Sequence, residues 1–285
     1  MRDLLFLSHR VPYPPDKGEK IRAWHMFRRL AGTFRIHLGC FVDDAADWPH
    51  VEELRQHCAE LACFPLNRRL QRAKALLRLR RGQPLSLGYF HDARLASWVS
   101  GKLAGGAIGD AFVFSSAMAP YLMDAVHVRR VLDMVDVDSE KWRSYAAQAG
   151  WPAQAIWARE ARTLLAFERL AAQHFDHSLF VSRHEWQHFA ALAPEAASRS
   201  GWIDNGVDTE HFSPDLAFAA PFARRGAELV FTARMDYRPN IDAASWFARE
   251  VMPLVRRERP HARFFIVGAS PRGRCWTSRA CPVSR

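Results

Sequence analysis

Three aspartates lie close together in the segment LDMVDVDSEKW, where an apolar run ends. The run from Arg130 to Val135 has the composition of a buried strand, so Asp133, Asp136 and Asp138 fall at its carboxyl end. Open α/β sheets bind ligands at this edge. Because neighbouring carboxylates repel each other, one of them can hold a proton more tightly and act as a base toward a hydroxyl group. The alternative is structural, with Asp138 capping a helix and Asp133 ending a strand.

A second polar group surrounds Gly18. The loop HRVPYPPDKG follows a short apolar strand, Asp3 to Ser8, and precedes an amphipathic helix. Backbone amides at the start of that helix could face a phosphate, and Lys17, Lys20 and Arg22 would add positive charge there. No GxGxxG fingerprint is present, which argues against a dinucleotide site. The alternative is a solvated, proline-rich turn.

Other reactive residue types form no recognisable site. The histidines lack an HExxH order and the pair Ser115 and Ser116 lacks a GxSxG elbow, so neither a zinc protease nor a serine hydrolase is indicated. The 5 cysteines are an odd number without a close CxxC pair, which predicts reduced thiols. We expect neither a bound metal nor a cofactor.

Residues 67–81, NRRLQRAKALLRLRR, predict a basic amphipathic helix. Its cations are Arg68, Arg69, Arg72, Lys74, Arg78, Arg80 and Arg81. One interpretation is a solvated helix face. The other is docking on an anionic bilayer, where each cation contributes about 1 kcal/mol. Nucleic acid is not an expected partner, because no helix-turn-helix, RNP or zinc-finger pattern accompanies the charge.

Apolar strand-like runs alternate with helix-period segments from Asp3 to Ile203, which is the βαβ winding of a Rossmann-like α/β domain. The turn Asn205, Gly206 follows. The Pro- and Ala-rich stretch 213–221 marks a domain boundary. Residues 228–268 then predict a strand, a helix and a second strand, the first βαβ unit of a second Rossmann-like domain.

The predicted domains are residues 1–215, residues 216–268 and an irregular tail, 269–285. The tail, ASPRGRCWTSRACPVSR, contains no acid and no helical period. It cannot complete a second sheet, so we expect the strands of the second domain to keep uncovered faces and edges. The tail also suggests a change of reading frame after Gly268.

Composition limits the possibilities further. With 285 residues, 49% of them hydrophobic, the chain can bury the core of one α/β domain and part of another. A formal charge of +10 indicates an anionic partner such as nucleic acid, an acidic membrane face or a phosphorylated substrate. No apolar run approaches the roughly 20 residues of a spanning helix and no signal region precedes the first strand, so we expect a cytoplasmic protein.

Four motifs in this order carry a family resemblance: VPYPPDKGEKIRAWH, LDMVDVDSEKW, IDNGVDTEHFSP and MDYRPNIDAASWFAREVMP. Together they resemble the family 4 type of GT-B glycosyltransferases, in particular the sugar transferases associated with bacterial exosortase (PEP-CTERM) and exopolysaccharide gene clusters. The likeness spans about residues 3–268. It implies retaining, metal-independent transfer of a sugar from a nucleotide-sugar donor to a hydroxyl of a glycan or lipid-linked acceptor. The first domain would bind the acceptor and the second the donor.

Carried over by position, the resemblance places Gly18 near the donor phosphates and the reacting sugar. It makes Asp136 a base or a sugar-hydroxyl contact. The residues expected on the acceptor side are Lys20, Arg22, Asp133 and Asp138.

On the donor side, Asn205 and Gly206 match the motif that returns the chain toward the cleft. Arg234 and Arg238 would neutralise the diphosphate leaving group, on which negative charge builds. The sequence departs from the family here, because the usual lysine position falls near Pro239. The later donor-domain strands and their two-glutamate motif have no counterpart.

The sequence leaves three functions open. The first is a glycosyltransferase of surface polysaccharide assembly at the cytoplasmic face of the inner membrane, with activity in doubt because the donor domain is incomplete. The second is a non-catalytic remnant or binding module that keeps the acceptor-side domain. The third, which only the charge suggests, is a basic nucleic-acid-binding α/β protein.

Overall fold

The computed structural model describes residues 1–77, 82–210, 212–217 and 227–268, apart from the side chains of residues 72, 76 and 77. The chain divides into two compact units, Met1–Val207 and Asp208–Arg285.

A parallel sheet forms the centre of the first unit. Within the described residues its strands are β1 (Arg2–Ser8), β2 (Phe34–Val42), β3 (Glu60–Pro65), β4 (Ile108–Phe114), β5 (Arg129–Val135), β6 (His177–Phe180) and β7 (Ser200–Trp202). They lie in the order β3-β2-β1-β4-β5-β6-β7, and all neighbouring pairs are parallel. The winding therefore reverses at β1 and β4, and in open sheets the ligand crevice lies outside the carboxyl ends at this switch point. The predicted α/β, Rossmann-like class is confirmed.

Helices cover both faces of this sheet. They are α1 (Gly18–Ala31), α2 (Trp48–Arg55), α3 (Arg68–Leu77), α4 (Leu85–Tyr89), α5 (Ala93–Ala104), α6 (Asp138–Ala147), α7 (Ala153–His174) and α8 (Arg183–Leu192). Short 3-10 helices occupy Ala45–Asp47, Ser116–Tyr121 and Pro194–Arg199. The basic helix predicted over residues 67–81 is present as α3, and residues 78–81 lie outside the described part of the chain.

Side-chain alternation along β1 explains why both faces need cover. Leu5 and Leu7 enter one hydrophobic core, while Leu4 and Phe6 enter the other. A strand buried on both faces reads as the continuous apolar run seen here. Phe27 of α1 is fully buried in the second core, and burial of such a side chain contributes about 1.5–3 kcal/mol.

The second unit is smaller. Its elements are β8 (Glu228–Thr232), α9 (Arg238–Trp246), a π-helical turn (Phe247–Val251), α10 (Met252–Glu258) and β9 (Arg263–Val267). Strands β8 and β9 pair in parallel, as the predicted βαβ unit requires. Val230 and Val267 on these strands remain 48% and 51% exposed. The predicted tail, residues 269–285, lies outside the described residues.

Two further observations concern the described residues alone. No helix among them is both long and apolar enough to cross a bilayer. Cys40, Cys58 and Cys63 are free thiols, and the other two cysteines fall outside the described part.

Candidate functional site

A cavity of about 740 Å³ opens at the carboxyl ends of β1, β4 and β5. Its volume lies within the roughly 300–1,000 Å³ typical of small-molecule sites. Residues that directly follow the three strands form its floor, among them His9, Ser115 and Asp136. Residues of α4, α6 and α7 form its walls. The cavity thus occupies the switch point of the sheet, where such folds bind ligands.

The backbone is strained at two places on the cavity floor. Among the described residues, Ser115 and Val135 are the non-glycine residues with positive φ, at 81° and 68°. This conformation is uncommon for any L-residue and an outlier for a β-branched one. Backbone hydrogen bonds hold both in place: Ser115 N donates to Asp133 O at 2.8 Å, and Val181 N donates to Val135 O at 2.7 Å. Such strain persists where the surroundings over-determine the chain, and it clusters at functional sites.

Beneath the floor, Arg22 and Asp133 form a buried ion pair. Arg22 Nε donates to Asp133 Oδ2 at 2.9 Å, and the two side chains are only 2% and 0% exposed. Arg22 Nη1 also donates to Ile203 O at 2.7 Å and to Asn205 Oδ1 at 3.0 Å, and Nη2 donates to Phe180 O at 3.3 Å. One guanidinium therefore joins the carboxyl ends of β5 and β6 to the segment after β7. The structure places Arg22, Asp133 and Asn205 in this internal network and not on the cavity wall.

Lys20 and Gly18 also lie off the cavity wall. The Lys20 ammonium is buried 2.7 Å from Asp47 Oδ1 and 3.6 Å from Asp16 Oδ1, so its charge is neutralised inside the protein. Gly18 begins α1 in open space, and a Cβ added there would meet nothing within 4 Å. The space beside the start of α1 is therefore accessible to a ligand.

A carboxylate that sequence reasoning missed, Glu19, faces the cavity between two nitrogen groups. His9 Nε2 lies 3.4 Å from Glu19 Oε2, and the Arg10 guanidinium contacts Glu19 Oε1. Burial opposes ionisation of Glu19, but His9 and Arg10 outweigh it and hold its pKa well below the usual range. Glu19 is thus a fixed negative charge. The sequence does contain a signal for this group: His9 and Arg10 directly follow the first strand, which places them at the ligand-binding edge of the sheet.

Asp136 and Asp138 lie together at the cavity, as the sequence predicted. Loss of solvent raises the pKa of Asp136, and the neighbouring Glu185 and Asp138 raise it further. Loss of solvent also raises the pKa of Asp138, although Lys141 opposes the effect with its Nζ 4.0 Å from Asp138 Oδ1. A carboxylate with raised proton affinity in a ligand-sized cavity is suited to accept a proton from a bound hydroxyl.

The alternative in which Asp138 caps a helix is wrong, because Asp138 is the first residue within α6 and makes no capping hydrogen bond. Glutamates from other helices accept the hydrogen bonds of the backbone N–H groups at the start of α6. Glu185 of α8 accepts from Val137 N at 3.1 Å, and Glu168 of α7 accepts from Ser139 N at 3.2 Å and Ser139 Oγ at 2.5 Å. The Asp138 carboxylate is left to face the cavity.

A second buried glutamate of α7, Glu160, fixes the start of α4. Glu160 accepts from Leu85 N at 2.7 Å and from Ser86 N at 2.9 Å, at the start of α4. Helix α4 carries Tyr89 and Phe90 to the cavity, and α6 and α7 carry Trp142 and Trp157. Helix α7 therefore brings Glu160 and Trp157 to the cavity, and through Glu160 it also fixes the start of α4.

The remaining predicted site residues lie elsewhere. Gly206 is exposed after β7. In the second unit, Arg234 Nη2 pairs with Asp236 Oδ2 at 2.9 Å, and Arg238 Nε lies 3.5 Å from Asp242 Oδ2.

The predicted membrane-facing cations of α3 are partly described. Arg68, Arg69 and Lys74 are exposed. The side chain of Arg72, and all of Arg78, Arg80 and Arg81, fall outside the described residues. The part of the chain that the structure describes contains no group of three or more His, Cys, Asp or Glu side chains that could hold a metal ion.

No family model matches the chain, and no curated protein matches it. Among solved structures, it is similar to sucrose-phosphate synthase from Thermosynechococcus elongatus, at 16% identity and a TM-score of 0.57 over 96% of this chain and 64% of that one. It is also similar to an S. aureus MnaA–UDP co-structure, at 9% identity and a TM-score of 0.48 over 97% of this chain and 64% of that one. The second likeness is too weak to inform the fold. The first confirms the GT-B type of fold, and at this identity it shows the fold alone. The chain spans less than two thirds of the length of both structures.

Proposed function

We propose that this chain belongs to a GT-B glycosyltransferase that moves a sugar from a nucleotide-sugar donor to an acceptor hydroxyl. The cavity of the first unit would bind the acceptor. The observation that carries this proposal is the pair Asp136 and Asp138 at a switch-point cavity of about 740 Å³, with Lys141 Nζ 4.0 Å from Asp138 Oδ1. Two carboxylates in such a cavity are suited to orient and deprotonate a hydroxyl.

In the proposed reaction, the bond between the donor's anomeric carbon and the diphosphate oxygen breaks, and a bond to the acceptor oxygen forms on the face that the diphosphate leaves, as retention in one step requires. The acceptor proton passes to a base, for which Asp136 is the candidate, while Asp138 orients the hydroxyl. The electron pair leaves on the diphosphate, whose charge needs cations or amide dipoles. Arg234, Arg238 and the open start of α1 at Gly18 are the proposed sources, with Asn205 and Gly206 on the donor side.

We infer the finer assignments from the four sequence motifs. They are retention of anomeric configuration, chemistry without a metal, and a place in exopolysaccharide assembly at the cytoplasmic face of the inner membrane. The exposed cations Arg69 and Lys74 of α3 support a peripheral contact with anionic lipid. Arg68 is also exposed, but its Nη2 pairs with Asp43 Oδ2 at 3.1 Å. The acceptor would then be a glycan or a lipid-linked glycan.

The test is release of nucleoside diphosphate by the whole chain. The protein is incubated with a panel of UDP-, GDP- and ADP-sugars and oligosaccharide acceptors. We expect acceptor-dependent release that falls by about 10²-fold in Asp136→Asn, the usual scale for loss of a general base. Asp124→Asn, an exposed aspartate ahead of β5, is the matched control and should leave the rate unchanged. An unchanged rate in Asp136→Asn would remove this residue from the mechanism.

A second candidate is a binding module that holds the acceptor without transferring sugar. The observation in its favour is that the residues lining the cavity all belong to the first unit. Saccharide binding without nucleotide release from any donor would identify this function. Acceptor-dependent release would exclude it.

A further inference from the structure

The charge inside the cavity is opposite to the charge of the chain. The protein carries a formal charge of +10. The ionisable residues that line the cavity are nevertheless mainly acidic: Glu19, Asp136, Asp138 and Glu160 face Arg10 and Lys141, with His9 beside them. Arg10 is committed to Glu19 and to Asp43, whose Oδ2 lies 3.1 Å from Arg10 Nε. The local field therefore favours a cation or a hydroxyl donor over an anion.

Two of the four carboxylates are available to a ligand. Glu160 is occupied by backbone and side-chain donors of α4, and Glu19 by His9 and Arg10. By contrast, Asp136 is exposed to solvent, and Asp138 is 38% exposed with Lys141 Nζ 4.0 Å from its Oδ1. Neither carboxylate receives a hydrogen bond from any described protein donor. Loss of solvent raises the pKa of both carboxylates, and nearby acidic groups raise it further: Glu185 and Asp138 at Asp136, and Glu19 and Glu185 at Asp138. A positively charged ligand would relieve this repulsion and a negatively charged ligand would increase it.

The cavity walls supply a second, independent indication of the ligand. Trp142 and Trp157 reach the cavity from α6 and α7, and Tyr145 bridges them with ring centroids 5.9 Å and 5.7 Å away. Tyr89 and Phe90 also line the cavity, with ring centroids 4.9 Å apart. Aromatic faces bind the apolar face of a ring by contact, and they attract an ammonium group through the π-system.

We propose that the cavity binds an amino sugar, with its ammonium group at Asp136 and Asp138, and rejects sugars that carry a carboxylate or a phosphate. The proposal rests on the proposed function only in regarding the bound sugar as the acceptor. Binding itself requires no donor, so an absence of sugar transfer would leave this proposal intact.

Calorimetric titration of the whole chain with three tetrasaccharides tests it. The probes are tetraglucosamine, which is cationic, tetra-N-acetylglucosamine, which is neutral, and tetragalacturonate, which is anionic. We expect tetraglucosamine to bind about tenfold or more tightly than the neutral probe, the effect of one charge-assisted hydrogen bond. The chain's net positive charge repels this probe at long range, so tighter binding must come from the local site.

The variant Asp136→Asn/Asp138→Asn should remove the preference for tetraglucosamine, so that the cationic and the neutral probe bind with similar affinity. Asp124→Asn should keep the preference. Because neither cavity aspartate takes part in a described hydrogen bond, the double variant should melt like the wild type. Each single variant should lose part of the preference. Equal binding of the cationic and neutral probes would overturn the proposal, as would a preference unchanged in the double variant. Displacement of the neutral probe by tetragalacturonate would overturn it too.

Discussion

At the scale of single residues, Glu168 has the most unusual environment. It is fully buried on α7, and Ser139 of α6 donates both of its hydrogen bonds. Burial raises its pKa from 4.5 to about 8, with the nearby Asp138 adding to the shift. At neutral pH this carboxyl group therefore holds a proton. A neutral acid behind Asp138 avoids a further negative charge at the cavity wall.

This environment predicts a specific pH dependence of stability. The folded protein keeps a proton on Glu168 that the unfolded chain releases between pH 4.5 and about 8, so the free energy of unfolding falls over that range and levels above it. Glu168→Gln keeps the acceptor for Ser139 N but cannot titrate. By pH 8 it should be more stable than the wild type by on the order of 4 kcal/mol, with little difference below pH 4.5.

Denaturant melts at several pH values measure this difference. The control is Glu52→Gln, a side chain that is 76% exposed and should follow the wild type at every pH. Parallel stability curves for Glu168→Gln and the wild type would show that Glu168 is already ionised in the fold.

Gly18 offers a test of ligand approach that is separate from folding. A Cβ would meet nothing within 4 Å there, so Gly18→Ala should keep the melting temperature within about 2 °C. If donor phosphates approach the start of α1, the same methyl group should lower the transfer rate by tenfold or more, on the order of 1.4 kcal/mol.

Gly109→Ala is the matched control for Gly18→Ala. It adds a methyl group in equally open space near the amino end of β4, away from the cavity. Both variants should melt alike, and a normal transfer rate in Gly18→Ala would place the donor elsewhere.

At the scale of elements, hydrogen bonds from the Arg22 guanidinium connect the carboxyl ends of neighbouring strands. Strands β5 and β6 and the segment after β7 meet at one guanidinium, through bonds that span up to 183 positions of sequence. A long side chain of α1 thus links strands that are distant in sequence. The floor of the cavity depends on this link, because Asp133 Oδ1 also accepts from Val135 N at 3.1 Å.

Breaking this link should be strongly destabilising. Arg22→Met leaves Asp133 buried without its partner, and the free energy of unfolding should fall by about 3–5 kcal/mol. Arg22→Met/Asp133→Leu, which removes both charges, should recover part of this loss. The comparison is Arg2→Ala, which breaks an ion pair to Asp110 at 3.2 Å with Arg2 68% exposed and should change stability by less than about 0.5 kcal/mol. Equal losses in Arg22→Met and Arg2→Ala would contradict the network's role.

Helix α3 carries the membrane hypothesis, and vesicle binding tests it. Arg68→Gln/Arg69→Gln/Lys74→Gln should weaken binding to phosphatidylglycerol vesicles by about 30-fold or more, from roughly 1 kcal/mol for each of Arg69 and Lys74. Arg68 should contribute less, because it pairs with Asp43 at 3.1 Å. Arg28→Gln/Arg29→Gln/Arg257→Gln removes the same charge from exposed positions on α1 and α10 and should have a much smaller effect. Equal losses in the two triple variants would mean that net charge alone attracts the chain to lipid.

At the scale of the whole molecule, the sheet is the part that the sequence predicts well. Apolar runs separated by helix-period segments determine a parallel sheet, and the ends of those runs locate the edge where Asp136 and Asp138 lie. The basic residues Lys20 and Arg22 are harder to predict. Their charged surroundings suggest exposure, yet both are buried because Asp47 and Asp133 come to them from other elements. Pairing over such distances is a property of the tertiary fold and leaves no local signal.

Much of the cavity cannot be predicted from the sequence for the same reason, because its residues come together only in the tertiary fold. Helix α4 is short, and its start depends on Glu160, which lies 75 positions away from Leu85. Glu19 looks like an ordinary first-turn acid until His9 and Arg10 are placed beside it. The conformations of Ser115 and Val135 have no sequence signal either, because neither residue type favours positive φ.

Those two left-handed residues have a consequence for laboratory evolution. Residues in such conformations cost on the order of 1–3 kcal/mol each, and glycine would relieve most of that. A library selected for heat resistance alone should therefore enrich glycine at positions 115 and 135. Sequencing the survivors and titrating them with saccharides would show whether thermostability was gained at the expense of recognition.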